Sequence, residues 1–210
     1  PQMMLVDLND GPFWMGRLMD AGAANFTTYL TVSQIVPYPE ELVQRPDTHP
    51  MSHLAGWMAD HGFASARIGY ESDSYFFSPR ALDCLQSGLP GAEFVDADLL
   101  VNWQRLVKSE AEIEMMRGAA RIAEATMQCA FDGARPGVRQ CDLMAEVVAT
   151  QVRGTPQRGG DMAAIHPLIL AGEAATTAHP MWTDAPLADG QTIAFELGGC
   201  MKRYNVGLAR

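Results

Sequence analysis

Short apolar runs alternate with helical patterns through the first half of the chain. The apolar and β-branched runs predict strands at Met3–Leu8, Phe13–Arg17, Tyr29–Val36, Arg67–Tyr70 and Phe94–Val95. Pro50 and Pro79 each follow a possible capping residue and therefore predict the first turns of two helices. Gly62 and Gly88 end these helical patterns. Alternating strands and helices predict a small α/β domain.

The second half of the chain has longer amphipathic patterns. Ser109-x-x-Glu112 is a capping box and predicts the start of a long helix. Asp142–Arg153 predicts a second amphipathic helix. Two apolar runs then predict buried strands, at Ala164–Leu170 and at Thr192–Leu197. Two helices followed by strands indicate a second unit of α+β type.

The change of pattern also predicts a division of the chain. Ala97–Lys108 ends in a helical linker between the two patterns, so we expect one domain over 1–104 and another over 105–210.

Composition narrows the possible partners and location. Of the 210 residues, 48% are hydrophobic and 19% are charged, which is typical of a soluble globular chain. The net charge of −10 argues against a nucleic-acid partner, which usually needs a basic face. No apolar run approaches the ~18 residues of a membrane-spanning helix. The four cysteines are scattered without C-x-x-C spacing, so we expect reduced thiols in a cytoplasmic protein.

The candidate chemistry centres on one acid in an apolar strand. Glu196 lies within the Thr192–Leu197 run and is followed by Gly198 and Gly199, which mark a bulge or a close backbone approach. A carboxylate in such a strand is costly unless it is paired or functional. His179 precedes it by seventeen positions, in a loop, and histidine is the usual proton shuttle near neutral pH. A Glu196–His179 pair is therefore the first candidate site, and a structural acid paired with an arginine is the alternative.

Three further residues are candidates for substrate binding. The Tyr204 hydroxyl could bind a substrate carboxylate, or it could be anchored within the protein. Asp161 follows two glycines, where an Asx turn is the default, but it could also line a pocket. Trp182 could form the wall of an apolar pocket, or it could pack in the core.

The last strand pattern resembles that of the creatinase/aminopeptidase superfamily, which has the "pita-bread" fold. Peptidases of that superfamily carry the motif D-x-G-x(5)-Y-x(2)-D-x-S/T-R, with a histidine upstream. Glu196 stands at the position of the first metal-binding Asp, Gly198 and Tyr204 match the motif, and His179 matches the upstream histidine. Gly207 stands at the second metal-binding position and has no side-chain oxygen. The resemblance therefore implies a member without a metal cofactor, as creatinase is.

Within the superfamily, four phrases of the chain resemble the ectoine hydrolase family. They are VNWQRLVKSEAEIEMMR (101–117), GVRQCDL (137–143), GGDMAAIHPLILAG (159–172) and FELGGCMKRY (195–204). This resemblance implies hydrolysis of a cyclic amidine, with Glu196 as nucleophile or general base and His179 as proton shuttle. It also implies a creatinase-type N-terminal α/β domain followed by the first half of a pita-bread domain. The expected partners are a small-molecule substrate and a second copy of the chain, whose pocket Tyr75–Phe77 would cover.

Three alternatives stay open at this point. An Xaa-Pro type metallopeptidase would need a divalent metal. A creatinase would have a glutamate where Ala209 stands. A non-catalytic binder would have kept the fold and lost the reaction. Because the chain opens without methionine and stops directly after the motif strand, we also expect it to be an internal fragment of a longer protein.

Overall fold

The computed structural model describes residues 2–164 and 166–210. It divides into two units, Pro1–Leu106 and Val107–Arg210. No helix in these described ranges combines the length and the apolar character needed to cross a membrane.

The described residues of the first unit form two small sheets and four α-helices. Its strands are β1 (Met3–Asp7), β2 (Gly11–Arg17), β3 (Ile35–Tyr38), β4 (Arg67–Tyr70) and β5 (Glu93–Asp96). Its helices are α1 (Leu18–Thr27), α2 (Pro50–Met58), α3 (Pro79–Gly88) and α4 (Leu100–Leu106). In one sheet β2 pairs antiparallel with β1 and parallel with β3, and in the other β4 and β5 are parallel.

The two proline-led helices begin where their capping residues predict. The His49 imidazole accepts a hydrogen bond from Met51 N–H, and the Ser78 hydroxyl accepts one from Ala81 N–H. Each cap satisfies one of the backbone donors that a helix start leaves without a partner. Burial of apolar side chains then holds both helices against the sheet. One core cluster contains Met15, Leu54, Met58, Leu85 and Leu89. Complete burial of a side chain of this size stabilises the fold by about 1.5–3 kcal/mol.

The strand predicted over Tyr29–Val36 is displaced toward the C-terminus. Thr31 and Gln34 form a capping box around a 3₁₀ turn at Val32–Gln34, and this local hydrogen bonding replaces the first part of the predicted strand. Strand β3 begins only at Ile35 and includes Pro37. Proline is tolerated there because β3 lies at the edge of its sheet.

The second unit consists of two helices packed on one antiparallel sheet. Its elements are α5 (Glu110–Gly133), α6 (Gln140–Arg153), β6 (Leu168–Ala171), β7 (Ile193–Met201) and β8 (Tyr204–Ala209). The capping box predicted at Ser109 and Glu112 is present. The strand order is β6-β7-β8, so β7 is the central strand. The strand predicted over Ala164–Leu170 begins only at Leu168, and Ile165 lies outside the described residues.

The register of β7 gives the sheet two chemically different faces. Phe195 and Leu197 point toward the helices and are buried in a core cluster with Val147 of α6 and Ile169 of β6. Side chains alternate along a strand, so Glu196 points to the opposite face. That face carries the cross-strand neighbours Leu168, Glu196 and Ala209 in one row, and Gly198 and Gly207 in the next.

Gly199 is the point at which β7 comes closest to α5. A Cβ atom at Gly199 would collide with the Ala119 carbonyl oxygen and would lie 2.5 Å from the Ala123 amide nitrogen. Both atoms belong to the backbone of α5, which cannot move aside as a flexible side chain can. The close backbone approach that the two glycines predicted is therefore present at Gly199, while Gly198 pairs regularly with Gly207.

We expect Gly199→Ala to lower the free energy of unfolding by about 1–3 kcal/mol or more, because the new methyl group collides with helix backbone. Gly207→Ala is the matched control on the adjacent strand. Its Cβ atom would meet no described atom within 4 Å, so we expect a change within about 0.5 kcal/mol. Urea denaturation followed by circular dichroism measures both. Equal stabilities for the two variants would contradict the close packing of β7 on α5.

Candidate active site

Strand β7 and the loop before it bring Glu196 and His179 together. The Nε2 atom of His179 lies 3.9 Å from Oε2 of Glu196. The Glu196 side chain is 37% exposed and the His179 side chain is 75% exposed, so solvent reaches both groups. At this distance a small shift, or a bound molecule between the two groups, is enough to connect them by hydrogen bonds.

The backbone of the loop determines where His179 lies. A 3₁₀ turn at Gly172–Thr176 follows β6, and the Thr176 hydroxyl closes it by donating to the Glu173 carbonyl. His179 then adopts a φ of +60°, in the left-handed region. Non-glycine residues are uncommon there, and such conformations occur disproportionately at functional sites.

A shallow cavity of about 280 Å³ adjoins the pair. Its lining includes Leu170, Thr177, His179, Glu196 and Ala209. It therefore combines one acid, one imidazole and apolar walls. Such a combination suits a compact ligand with a cationic or polar reacting group.

A larger cavity of about 470 Å³ lies in the first unit. Its two arginines are already ion-paired, Arg17 with Glu40 at 2.6 Å and Arg45 with Asp47 at 3.0 Å. The cavity contains neither Glu196 nor His179. These two ion pairs connect segments of the first unit to one another. The size of this cavity alone therefore does not make it the candidate active site.

The structure places Asp161 away from the Glu196–His179 pair. The Asp161 amide donates to the Cys200 carbonyl at 3.0 Å, and its carboxylate lies 3.2 Å from the Arg203 guanidinium. Cys200 is four positions beyond Glu196 on β7, a separation of about 13 Å along a strand. Asp161 thus ties the loop before β6 to the far end of β7.

Tyr204 lies on the helix side of the sheet. Its hydroxyl donates to Oε1 of Glu112 at 3.0 Å, at the start of α5. The same carboxylate accepts the Ser109 amide at 2.7 Å. The backbone N–H of Ser109, followed by the Ser109 and Tyr204 hydroxyls, lowers the pKa of Glu112. The Tyr204 hydroxyl is thus anchored within the protein, on a carboxylate rather than on backbone.

Trp182 is half-buried against the core between the helices and the sheet. Its ring lies 5.1 Å from the His166 ring, in a tilted arrangement. It does not line the cavity beside Glu196. Of the five predicted site residues, the structure brings together Glu196 and His179, and it places Asp161, Tyr204 and Trp182 elsewhere in the unit.

Gln151 was not identified from the sequence. This α6 side chain is buried, and its amide donates to the Gly198 carbonyl, two positions from Glu196. Strand β6 begins opposite Glu196, and no strand among the described residues pairs with that edge of β7 beyond it. Gln151 supplies a hydrogen bond at that edge and fixes β7 beside the acid. The two residues are forty-seven positions apart, so no local sequence pattern identifies this role.

Among the described residues, the donor set beside Glu196 supplies fewer ligands than a two-metal site uses. Such sites need several carboxylate or imidazole ligands around each ion. Gly207, the position opposite Gly198, offers no side-chain oxygen. Across residues 2–164 and 166–210, no group of three or more His, Cys, Asp or Glu side chains is placed to hold a metal ion. Glu196 and His179 are left as a pair suited to proton transfer and charge stabilisation.

Two family models together match nearly all of the chain. The creatinase/prolidase N-terminal domain matches residues 3–107, and metallopeptidase family M24 matches residues 114–210. The chain is 38% identical over its full length to an ectoine hydrolase of Halomonas elongata. It is 39% identical, over 96% of its length, to an uncharacterized hydrolase/peptidase of Sinorhizobium fredii. The chain covers 54% and 51% of these two proteins, and thus about half the length of the curated relatives it matches.

Solved structures show the same fold at lower identity. Prolidase from Pyrococcus furiosus matches the whole chain with a TM-score of 0.76 and 18% identity, and 58% of that enzyme is covered. An Xaa-Pro dipeptidase from Bacillus anthracis matches the whole chain with a TM-score of 0.74, also at 18% identity, with 54% of it covered. These likenesses confirm the predicted fold, a creatinase-type N-terminal domain followed by pita-bread elements.

The position of Tyr204 leads to a prediction about stability. Tyr204→Phe removes one hydrogen bond from Glu112 and should raise the pKa of that carboxylate in the folded protein. Because the folded-state pKa of Glu112 is lowered, its stabilisation is present above the unfolded value of about 4.3 and is lost as pH falls. We therefore expect the variant to be less stable at neutral pH and to gain less from a rise in pH from 3 to 7.

Thermal denaturation of the full-length protein across that pH range measures the effect. Ser109→Ala is the control, since it removes a different hydrogen bond from the same carboxylate and should act in the same direction. If Tyr204→Phe left stability unchanged but abolished substrate binding, Tyr204 would be a binding residue instead.

Proposed function

Because the chain belongs to the family of the creatinase/prolidase N-terminal domain and its second half matches metallopeptidase family M24, we propose that it forms part of a hydrolase that opens the cyclic amidine of ectoine. The product is an N-acetyl-diaminobutyrate. The observation that carries this proposal is the Glu196–His179 pair, set beside a small cavity with Gly207 where a second metal-binding acid would be needed. The 38% identity to the Halomonas ectoine hydrolase supports the choice of substrate.

The charge of the site suits a cationic amidine. A carboxylate about 4 Å from a unit positive charge gains about 1 kcal/mol in bulk water and about 4 kcal/mol in the intermediate dielectric near a protein surface. Glu196, at 37% exposure, lies in that intermediate environment. Its charge would hold the amidinium with the electrophilic carbon next to Oε2. The stabilisation should fall as salt is added, since solvent reaches the pair.

The reaction needs one water molecule and no redox step. In one route Glu196 takes a proton from water, and the resulting hydroxide adds to the amidine carbon. In the other route a Glu196 oxygen adds to that carbon directly, and water later hydrolyses the covalent intermediate. In both, one ring C–N bond breaks as protonated His179 gives its proton to the departing nitrogen. The oxygen of the water becomes the acetyl carbonyl oxygen, and of its two protons one returns to His179 and the other leaves with the amine product as ammonium. The acetyl group of the product contains the former amidine carbon.

Metal independence is part of the proposal and rests on the donor set. A dinuclear peptidase site holds its ions through several carboxylates, whereas the described residues beside Glu196 supply only His179. We propose that the positive charge of the substrate occupies the electrostatic position that metal ions take in the peptidases. We also propose the cytoplasm as its compartment, since all four cysteines are free in the structure.

Ectoine incubated with the full-length protein should be converted to the ring-opened product, followed by NMR. We expect Glu196→Gln to lower kcat by at least about a hundredfold while the variant still binds ectoine, because the amide can neither attack nor accept a proton from water. His179→Gln should also slow the reaction, with its largest effect on departure of the ring nitrogen.

Three results would contradict this proposal. Elemental analysis that finds about two divalent metal ions per active chain would favour the alternative, a metallopeptidase of the Xaa-Pro type. Tight binding of ectoine without turnover by the wild type would favour a non-catalytic binding protein. An unreacted ring in the absence of binding would refute the assignment of ectoine as the substrate.

We further propose that the protein is a homodimer, with the first unit of one copy covering the site of the other. Tyr75 and Phe76 are 98% and 94% exposed, next to each other in a loop of the first unit. Phe77 instead packs on Tyr70, with ring centroids 5.9 Å apart. Two adjacent exposed aromatic side chains are typical of a surface that another molecule covers.

Light scattering should give about twice the chain mass for the full-length protein. We expect the double variant Tyr75→Ser, Phe76→Ser to shift the mass toward the monomer and to reduce activity without lowering thermal stability. Phe26→Ser is the matched control, since Phe26 is also exposed, at 90%, in the same unit. A fully active monomeric wild type would refute the shared-site arrangement.

A further inference from the structure

The larger cavity of about 470 Å³ lies at one end of the three-stranded sheet of the first unit. Strands β2 and β3 are parallel, and their last residues, Arg17 and Tyr38, pair with each other and line the cavity. Strand β1 runs the other way and begins at this end, where Gln2 also lines the cavity. Open α/β sheets bind their ligands beyond the carboxyl ends of parallel strands. The cavity therefore lies where such a fold places a binding site.

One part of the lining, between the end of β2 and the start of α1, has a net negative charge. The Arg17 Nε donates to one Glu40 oxygen at 2.6 Å, and the other Glu40 oxygen accepts the Met19 amide at 2.8 Å. This carboxylate ties the end of β2 and the first turn of α1 to the segment after β3. Asp20 is half-buried in the same turn of α1 and lines the cavity. Two acids and one arginine leave this part of the lining negative.

Asp20 is the acid of this group whose charge is left for a ligand. The Gln2 side-chain amide donates to its carboxylate at 3.4 Å, but no described lysine, arginine or histidine forms an ion pair with it. Its charge reaches the buried Tyr38, because burial, followed by the charge of Asp20, raises the pKa of the Tyr38 hydroxyl. A half-buried carboxylate has lost part of its hydration, so a cationic group of a ligand would compensate it.

A second part of the lining, in the loop before α2, has the opposite charge. Arg45 binds both Asp47 oxygens, through Nε at 3.0 Å and Nη2 at 3.1 Å. Arg80 of α3 holds the loop by donating to the Thr48 carbonyl at 3.1 Å. Burial, followed by the charge of Arg80, lowers the pKa of His49, which also lines the cavity. Two arginines and one acid leave this part of the lining positive.

The uncharged lining adds a hydrogen-bond donor and apolar surface. The His49 Nδ1 accepts the Met51 amide at 3.1 Å, so the neutral ring carries its hydrogen on Nε2. Leu42 and Val43 supply apolar surface. Gln44 has a φ of +54°, in the left-handed region, and non-glycine residues held there cluster at ligand-binding sites. Such a mixed lining is typical of a site for a small polar molecule.

We propose that this cavity binds a compact zwitterion of the amino-acid class, with its ammonium group on Asp20 and its carboxylate on Arg45. The charge of Arg17 is already met by Glu40 and Asp20, which both raise its pKa, and Glu40 has the larger effect. Arg45 uses two of the five N–H donors of a guanidinium on Asp47, and it can therefore also bind a ligand carboxylate.

The separation of charge along the lining favours a zwitterion over other small ligands. Asp20 would repel a ligand with only a negative charge, and Arg45 would repel one with only a positive charge. A ligand with both charges is attracted by both parts of the lining. The volume of about 470 Å³ is within the range of about 300–1,000 Å³ that small-molecule sites have. This inference goes beyond the proposed function and does not depend on it, because no residue of the second unit takes part.

Hydrogen–deuterium exchange of the full-length protein, with N-acetyl-diaminobutyrate as the probe, tests the proposal. The probe is suitable because it carries one carboxylate and one ammonium group at neutral pH. We expect it to slow the exchange of backbone amides in residues 38–50. Unchanged exchange in this segment at saturating probe, or slower exchange only in residues 176–197 around Glu196, would overturn the proposal.

The same measurement over a series of probe concentrations gives a dissociation constant for variants. We expect Asp20→Asn and Arg45→Gln each to raise it by about tenfold or more, because each loses a charge-assisted hydrogen bond to the ligand. Asp83→Asn and Arg67→Gln are the matched controls, an exposed acid and an exposed ion-paired arginine of the same unit outside the cavity, and should bind as the wild type does.

Two simpler ions test the class of ligand. Acetate and ethylammonium each carry only one of the two charges, so we expect both to bind at residues 38–50 at least about tenfold more weakly than the zwitterion. Acetate that binds as tightly as the probe, together with unchanged binding by Asp20→Asn, would refute the zwitterion assignment. Thermal denaturation confirms that each variant is folded, and if Asp20→Asn does not fold, the result for Arg45→Gln decides.

Discussion

The approach of β7 to α5 at Gly199 is the contact on which the site depends. Helix and strand backbones come so close there that no side chain fits between them. This contact fixes which face of β7 is turned toward the helices. Since side chains alternate along a strand, it also fixes Glu196 on the opposite face. A shift of β7 by one residue would bury the Glu196 carboxylate against the apolar core and expose Leu197 to solvent. Such a shift is unfavourable, because it desolvates a charge and exposes an apolar side chain.

The same alternation explains why two residues of one sequence motif have different surroundings. Glu196 and Tyr204 both match positions of the motif, yet they lie on opposite faces of the sheet. The two-residue turn at Lys202 and Arg203, both with positive φ, joins β7 to β8 and sets the register. In that register Tyr204 lies on the helix side, where its hydroxyl donates a hydrogen bond to Glu112 at the start of α5.

A site with one carboxylate and one imidazole has a restricted chemistry. It can stabilise a cation, move a proton and attack an electrophilic carbon. Gly207 stands where the motif of the peptidases has a metal-binding Asp, and it offers no side-chain oxygen. The same missing side chain leaves open space at that point of β8, since a Cβ atom there would meet no described atom within 4 Å.

Much of this protein was determined by local sequence. The caps at His49, Ser78 and Ser109 act within two or three residues, so these helix starts follow directly from the sequence. The pairing of Glu196 with His179 was also predicted, because a lone acid in an apolar strand has few stable roles. The Thr31–Gln34 capping box is equally local, but a β-branched run concealed it and led to a strand prediction that was too early.

The tertiary structure decided which residues that are far apart in the chain contact one another. Sequence offers no way to know that the Tyr204 hydroxyl meets Glu112, ninety-two positions away, or that Gln151 reaches the Gly198 carbonyl. The same limit applies to Asp161, whose partners lie on the far end of β7. Local hydrogen bonding and side-chain alternation are encoded by neighbouring residues. Which groups meet across the sheet is fixed only when the strands and helices pack, because register and close backbone contact are properties of the whole unit.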